Sequence, residues 1–104
     1  LKSQFLTNSG ILGGHPDMNK KYGIEISTGS LGQGLSVGAG LALGIKKDGG
    51  KNKTIVLLSD GELNEGMIWE AVMFSSHHKL DNLICIIDYN NLQGYIQGPH
   101  LVSI

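Results

Sequence analysis

The sequence predicts an α/β fold, a parallel sheet with helices on both faces, which this chain builds only in part. Two observations carry the sheet. Thr54-Ile55-Val56-Leu57-Leu58 and Leu83-Ile84-Cys85-Ile86-Ile87, the latter ending at Asp88, are uninterrupted apolar runs rich in β-branched residues, as expected of strands covered on both faces. A third observation supplies the connection. From about Asn64 to Lys79, residues Ile68, Ala71, Val72 and Ser75 recur at helical spacing, with Trp69 and Met73 alongside, until Leu80-Asp81-Asn82 breaks the pattern. Strand, helix, strand with short joints forms a right-handed βαβ unit, which makes the two strands parallel.

A helix from about Leu31 to Lys47 is expected ahead of the first strand, from Leu35, Val37, Leu41, Leu43 and Ile45 with Ala39 and Ala42 between them. It contains Gly32, Gly34, Gly38, Gly40 and Gly44, each costing roughly 1 kcal/mol against Ala in a helix interior. Close approach of another backbone or a ligand compensates, so the helix is expected to be buried and central. Asp48-Gly49-Gly50-Lys51-Asn52 reads as a polar turn. Upstream, Leu1 to Asn19 is loop-rich, with an ordered turn at Gly13-Gly14-His15-Pro16-Asp17. Gly23-Ile24-Glu25-Ile26-Ser27 alternates as a short strand would.

At 104 residues the chain has room for one small core, and residues 1–104 are read as part of a single domain. Net charge is −1, with eight Lys and Arg scattered among nine acids, so there is no basic stripe and nucleic acid is not an expected partner. The 16 glycines are about twice the roughly 7% of average proteins and follow no repeat, so they serve local geometry. The single cysteine, Cys85, lies inside an apolar run and reads as a buried core thiol, in keeping with a reducing, cytoplasmic compartment. No apolar stretch approaches the roughly 20 residues that span a bilayer, and no membrane partner is expected. So few strands leave sheet edges open, so further polypeptide is expected to cover them, within a larger subunit or from a second chain.

In open parallel sheets ligands bind beyond the carboxyl ends of the strands. The first strand runs into Ser59-Asp60-Gly61-Glu62 and the second into Asp88-Tyr89-Asn90-Asn91-Leu92. On neighbouring strands Asp60 and Asn90 leave the same sheet edge. A carboxylate, an amide oxygen, a backbone carbonyl and phosphate oxygens are the hard donors that Mg²⁺ takes in octahedral geometry, and Ca²⁺ accepts the same atoms. Gly61 lets its backbone approach a diphosphate. In isolation Asp60 is equally well explained as a helix cap, and Asn90 as a turn residue. Together, 30 residues apart and each ending a buried strand, they point to a metal–diphosphate site.

Ser59-Asp60-Gly61-Glu62-Leu63-Asn64-Glu65-Gly66 through Asp88-Tyr89-Asn90-Asn91-Leu92 resembles the thiamine diphosphate motif, which opens on Gly-Asp-Gly and closes on Asn about thirty residues later. Gly13-Gly14-His15-Pro16 and Thr28-Gly29-Ser30-Leu31-Gly32-Gln33-Gly34 resemble the two segments that precede that motif in the transketolase family. Three motifs in the right order, from about Gly13 to Gln93, make the resemblance specific. It implies the thiamine-diphosphate-binding fold and ketol transfer between sugar phosphates, with thiamine diphosphate and Mg²⁺ (or Ca²⁺) as cofactors. By resemblance, Asp60, Asn90 and the backbone carbonyl of Leu92 ligate the ion, and Gly61 contacts the diphosphate. Gly29 and Leu31 touch the cofactor, and His15 faces the sugar. Glu65 matches the family acid at the subunit interface. The glutamate that activates the cofactor lies, in the family, on a separate pyrimidine domain. The implied partners are therefore a pyrimidine-domain chain or a second subunit, in a homodimer or a split heterodimer-based assembly.

Ser59 stands where the family has a first Gly, Ser30 replaces a common Pro, and Gly94 to Ile104 lacks the usual polar continuation, so no role is carried into that tail. His77 and His78 end a helix, where cations suit the macrodipole, and adjacent helical positions point different ways. Trp69 and the methionines read as packing. Gly29, Gly32 and Gly34 are not spaced as a dinucleotide turn, and no acid ends a strand about 20 residues later to hold a ribose. The alternative readings are a catalytically silent fragment or subunit that only binds cofactor or a partner chain, and another thiamine-diphosphate enzyme.

Overall fold

The computed structural model describes residues 2–90, 92–93 and 96–97. They fall into two compact units, Leu1–Ser30 and Leu31–Ile104.

In the larger unit the two apolar runs form strands β1 (Thr54–Ser59) and β2 (Leu83–Asp88). They pair in parallel, in register from Thr54↔Leu83 to Ser59↔Asp88. The α/β class with a parallel sheet follows from the β-branched runs as expected. Side chains alternate across the pair, so Val56, Leu58 and Leu83 share one face while Ile55, Leu57, Ile84 and Ile86 share the other. Helices α1 (Gln33–Lys47) and α2 (Gly66–His77) both cover the first face. Leu35, Leu58, Ile68 and Ala71 are buried against Val56, Leu63 and Leu83, and a second cluster joins Ala39, Ala42 and Leu80. Ile55 and Leu57 on the second face are 63% and 70% exposed. The strands are therefore covered on one face among the described residues, and the second helix layer is not among them.

Cys85, on the helix-covered face with Val56, is also less covered than expected. Expected in the core, it is exposed, because β2 has β1 as its one described neighbour and α2 lies to one side. It lines an open groove with Leu35, Val72, Ser75 and Leu83. The partial burial there raises its thiol pKa above the ordinary value, and the Glu62 carboxylate adds to that rise.

Helix α1 begins two residues later than its apolar spacing suggests, because Gly32 takes φ 86°, a left-handed conformation that cannot continue a helix. Its buried stripe is Leu35, Gly38, Ala39 and Ala42, at the spacing of one helical face. Val37 and Leu41 are exposed, so among the described residues the helix is covered on one side and is not central. The close approach expected of its glycines occurs at Gly38, where an added Cβ would fall within 3.0 Å of Val56 Cγ2, whereas Gly40 and Gly44 face open space.

Between β1 and α2 the chain makes a 3-10 turn at Gly61–Asn64, and Glu65 is extended (φ −78°, ψ 124°) before α2 starts. The helix expected from about Asn64 thus begins at Gly66. It stops at His77, and Lys79 is left-handed (φ 51°). Asn82 then pins the joint: its Nδ2 donates to the Ala42 carbonyl at 2.8 Å and its own carbonyl accepts from Thr54 N–H at 2.8 Å. Lys46 Nζ donates to the Lys79 carbonyl and pairs with Asp81 at 3.1 Å. Beyond β2, β3 (Leu92–Gln93) and β4 (Ile96–Gln97) pair antiparallel. Asn91, Gly94, Tyr95 and the stretch 98–104 lie outside the described residues, so the tail assigned no role falls largely outside them.

The unit Leu1–Ser30 is held by backbone bonds and turns. Phe5 and Leu12 form a bridge, and Asn19 bridges Ile24 around a 3-10 turn at Lys20–Tyr22. The short strand expected over 23–27 is therefore reduced to that single bridge. Asn19 Oδ1 caps the turn by accepting from Lys21 N–H, and Gly23 closes it at φ 73°. Pro16 accepts from Thr28 N–H at 3.0 Å, and Ser27 Oγ accepts from Met18 N–H at 2.8 Å. These last two bonds draw the ends of the 16–28 segment together.

Candidate functional site

The carboxyl ends of β1 and β2 lie side by side. Asp60 N–H donates to the Asp88 carbonyl at 3.2 Å, closing the parallel ladder at Ser59↔Asp88. Asp60 is only 6% exposed. Its Oδ1 accepts from Gly61 N–H at 2.9 Å, and its carbonyl accepts from Leu63 N–H at 3.1 Å. The acid therefore does cap the turn that follows it. Capping and ion binding are compatible, because an ionised carboxylate carries about four lone-pair sites. Gly61, also buried, spends its N–H on Asp60 and not on an outward-facing position.

Ser59, in place of a glycine, has no left-handed backbone, and its Oγ accepts from Glu62 N–H at 3.2 Å. A side chain at this position thus helps close the turn. Asn90, two residues past β2, is exposed, and its Nδ2 donates to Asp88 Oδ2 at 3.3 Å. Strand β3, which contains Leu92, lies beside the 3-10 turn Gly61–Asn64. The sheet edge thus brings Asp60, Gly61, Asn90 and the Leu92 backbone into one region. Among the described residues no three His, Cys, Asp or Glu side chains gather around a common point. An ion held here would draw on one carboxylate, an amide oxygen, a backbone carbonyl and a ligand's phosphates, the hard donor set suited to Mg²⁺. The donor chemistry fits a metal–diphosphate group.

Around this edge, Leu31 is exposed in the turn before α1 and Glu65 is exposed at the start of α2. Gly32, between Leu31 and α1, is buried. Its N–H donates to Glu62 Oε1 at 2.7 Å, and a Cβ on it would meet Glu65 Cβ at 3.1 Å and Met67 Cβ at 3.4 Å. This tie spans 30 residues. Sequence reasoning placed Glu62 in the motif and gave it no task, since local spacing cannot reveal such a partner.

Within the smaller unit, His15 and Gly29 are adjacent. Gly29 has φ 141°, and a Cβ there would lie 2.9 Å from His15 Cγ. The ring is packed on bare backbone that a side chain would displace, which explains glycine at this position. The histidine itself is exposed.

Other conspicuous residues take structural places. Trp69 Nε1 donates to the Leu63 carbonyl at 2.9 Å, tying α2 to the turn before it. Met18, Met67 and Met73 are exposed and are not core packing among the described residues. His77 and His78 do touch, their ring centroids 4.9 Å apart edge to face, because α2 ends between them and His78 is no longer helical. No described helix is long and apolar enough to cross a membrane.

Residues 2–100 match the family model described as transketolase, thiamine diphosphate binding domain. An apulose-4-phosphate transketolase subunit of Actinobacillus succinogenes is 54% identical over 82 residues, covering 79% of this chain and 30% of that protein. A 6-deoxy-6-sulfo-D-fructose transketolase subunit of a Clostridium species is 46% identical over 89 residues, 84% of this chain and 32% of that protein. Human transketolase is 48% identical over 82 residues, 78% of this chain and 13% of that protein. The chain thus spans about a third or less of the length of these relatives. With nearly its whole length matched and its strand ends carrying the motif, the chain belongs to the transketolase family, within the thiamine diphosphate binding domain.

Proposed function

We propose that this chain supplies the metal–diphosphate half of a transketolase-like site that moves a two-carbon ketol unit between sugar phosphates. The observation that supports it most is the buried Asp60 carboxylate at the end of β1, hydrogen-bonded through its backbone to the β2 end that leads to Asn90. Residues 1–104 are read as part of a single diphosphate-binding domain, cytoplasmic in setting.

In this reading Asp60, the Asn90 amide oxygen and the Leu92 carbonyl hold Mg²⁺, and Gly61 lies against the diphosphate. Leu31 and Gly29 contact the cofactor. Bound thiamine diphosphate would supply the carbon nucleophile of ketol transfer, and the protein supplies binding, orientation and electrostatics. His15, its ring backed by Gly29, would donate or accept a hydrogen bond at a sugar hydroxyl. Glu65, exposed at the start of α2, would face a second protomer. No acid of the described residues is read as the activator of the cofactor: Asp60 is committed to the ion and Asp81 to Lys46. A pyrimidine-domain chain or second copy has to bring it, and relatives that are themselves named as transketolase subunits support such a partner.

The test is reconstitution of the full-length protein with a candidate partner chain, read by a coupled assay of ketose-to-aldose transfer. Turnover is expected with both chains and not with either alone. His15→Ala should raise the ketose KM or lower kcat while cofactor affinity stays within about twofold, since groups touching only the substrate act on kcat/KM. A reconstituted assembly that binds the cofactor and transfers no ketol unit from any ketose phosphate would overturn the reading in favour of a silent binding protein.

A further inference from the structure

We infer that Glu62 is a positioning residue, whose carboxylate holds the Leu31–Gly32 turn in place beside the Asp60–Gly61 loop and so prepares both for the cofactor. The inference rests on the site reading given above and concerns a residue to which that reading gives no task.

Four observations converge on it. Gly32 is the N-cap of helix α1, and a glycine has no side chain with which to cap its own helix. The N–H of this N-cap residue finds its acceptor on another element: Glu62 Oε1, one residue past the buried Gly61, accepts Gly32 N–H at 2.7 Å, a length typical of a charge-assisted bond. Glu62 is itself fixed at its backbone, with its N–H on Ser59 Oγ at 3.2 Å and its carbonyl accepting Glu65 N–H at 3.0 Å. At its Cα Gly32 is closed in by Glu65 and Met67, which leave no room for a Cβ without displacement. Gly32 is thus gripped at its N–H by the Asp60–Glu62 turn and at its Cα by the start of α2.

The consequence is mechanical. Leu31 precedes Gly32 directly and is exposed, so this grip, with the helix that follows, anchors it toward α1. Asp60 and Gly61 precede Glu62 directly. A single carboxylate therefore joins the two stretches that the site reading places on the cofactor, and fixes their spacing before it arrives. Binding to a preorganised pair costs less ordering than binding to two loose loops. The same carboxylate sits at the positive end of α1, where a negative charge is favoured.

The experiment compares Glu62→Ala, Glu62→Gln and Asp60→Ala in the full-length protein with its partner chain. Two readouts are taken: calorimetric affinity for thiamine diphosphate with Mg²⁺, and hydrogen exchange of the Gly32 amide without cofactor. Glu62→Ala should weaken cofactor binding about tenfold, the equivalent of about 1.4 kcal/mol, and should speed Gly32 exchange. Glu62→Gln keeps the Oε1 acceptor and should restore both to within about twofold, a rescue that lost fold stability alone would not give. Glu62→Asp keeps the charge but withdraws the acceptor by one methylene, and gives the same reading if the alanine variant does not fold. Native cofactor affinity in Glu62→Ala, beside a large loss in Asp60→Ala, would overturn the positioning role while leaving the site intact. Native affinity in Asp60→Ala would remove the site itself, and the inference with it.

Discussion

Replacing Gly38 by alanine sets two opposed effects against each other at one position. In a helix interior the change should gain about 1 kcal/mol from propensity. At Gly38, however, the new methyl would fall within 3.0 Å of Val56 Cγ2, with Leu83 Cδ1 and Thr54 Cγ2 each at 3.6 Å behind it. Val56 is β-branched and held to few χ1 rotamers, so it cannot swing aside cheaply, and α1 would have to lift off β1. Overpacking of this kind costs roughly 1–3 kcal/mol, which leaves a net loss of about 1 kcal/mol at its midpoint. Gly40 and Gly44 lie on the same helix with nothing within 4 Å of an added Cβ, and their alanine variants should gain up to about 1 kcal/mol each. The contrast, about 2 kcal/mol between Gly38→Ala and Gly40→Ala, is read by urea denaturation of the full-length protein with m-values compared. A Gly38→Ala variant as stable as Gly40→Ala would refute the claim that the α1–β1 approach requires glycine.

Asn82→Ala should cost about 1 kcal/mol by deleting the bond to the Ala42 carbonyl, and Asn82→Asp should cost more, because it sets a carboxylate against that carbonyl in a buried site where Asn82 Oδ1 already lacks a partner among the described residues. Chemical denaturation ranks the two, and an aspartate variant more stable than the alanine would contradict the geometry. The hydrogen bond and charge of Lys46 hold the Asp81 carboxyl below its ordinary pKa. Its contribution to stability is therefore present above the unfolded-state value of about 3.9 and lost as pH falls through the lower folded value. An NMR titration of Asp81 in Lys46→Met should move its midpoint up toward the ordinary carboxylate range; an unmoved midpoint would exclude Lys46 as the cause.

The βαβ unit was legible because β-branched runs and helical spacing are local signals, and β1 and β2 follow them almost to the residue. The convergence of Asp60 and Asn90 was legible for the same reason, since two parallel neighbours end together. What escaped the sequence depends on groups far apart in the chain. Apolar residues such as Ile55 and Leu57 announce a face to be covered and not what covers it, so the expectation of two covered faces is not met among the described residues, while Cys85, on the helix-covered face, is exposed at the open groove beside α2. The start of α1 depends on the left-handed Gly32, which apolar spacing does not register. The Glu62 tie to Gly32 and the Gly29 packing on His15 are tertiary contacts that no local pattern specifies.

The central claim is that Asp60 and Asn90 make cofactor and metal binding a single event. Titration calorimetry of thiamine diphosphate into the full-length protein with its partner tests it most directly, run with Mg²⁺, with excess chelator, and with Asp60→Ala. The account predicts tight binding with Mg²⁺ and a loss of about 100-fold or more, roughly 2.7 kcal/mol, both in chelator and in the variant. Tight cofactor binding in excess chelator, unchanged by Asp60→Ala, would contradict it.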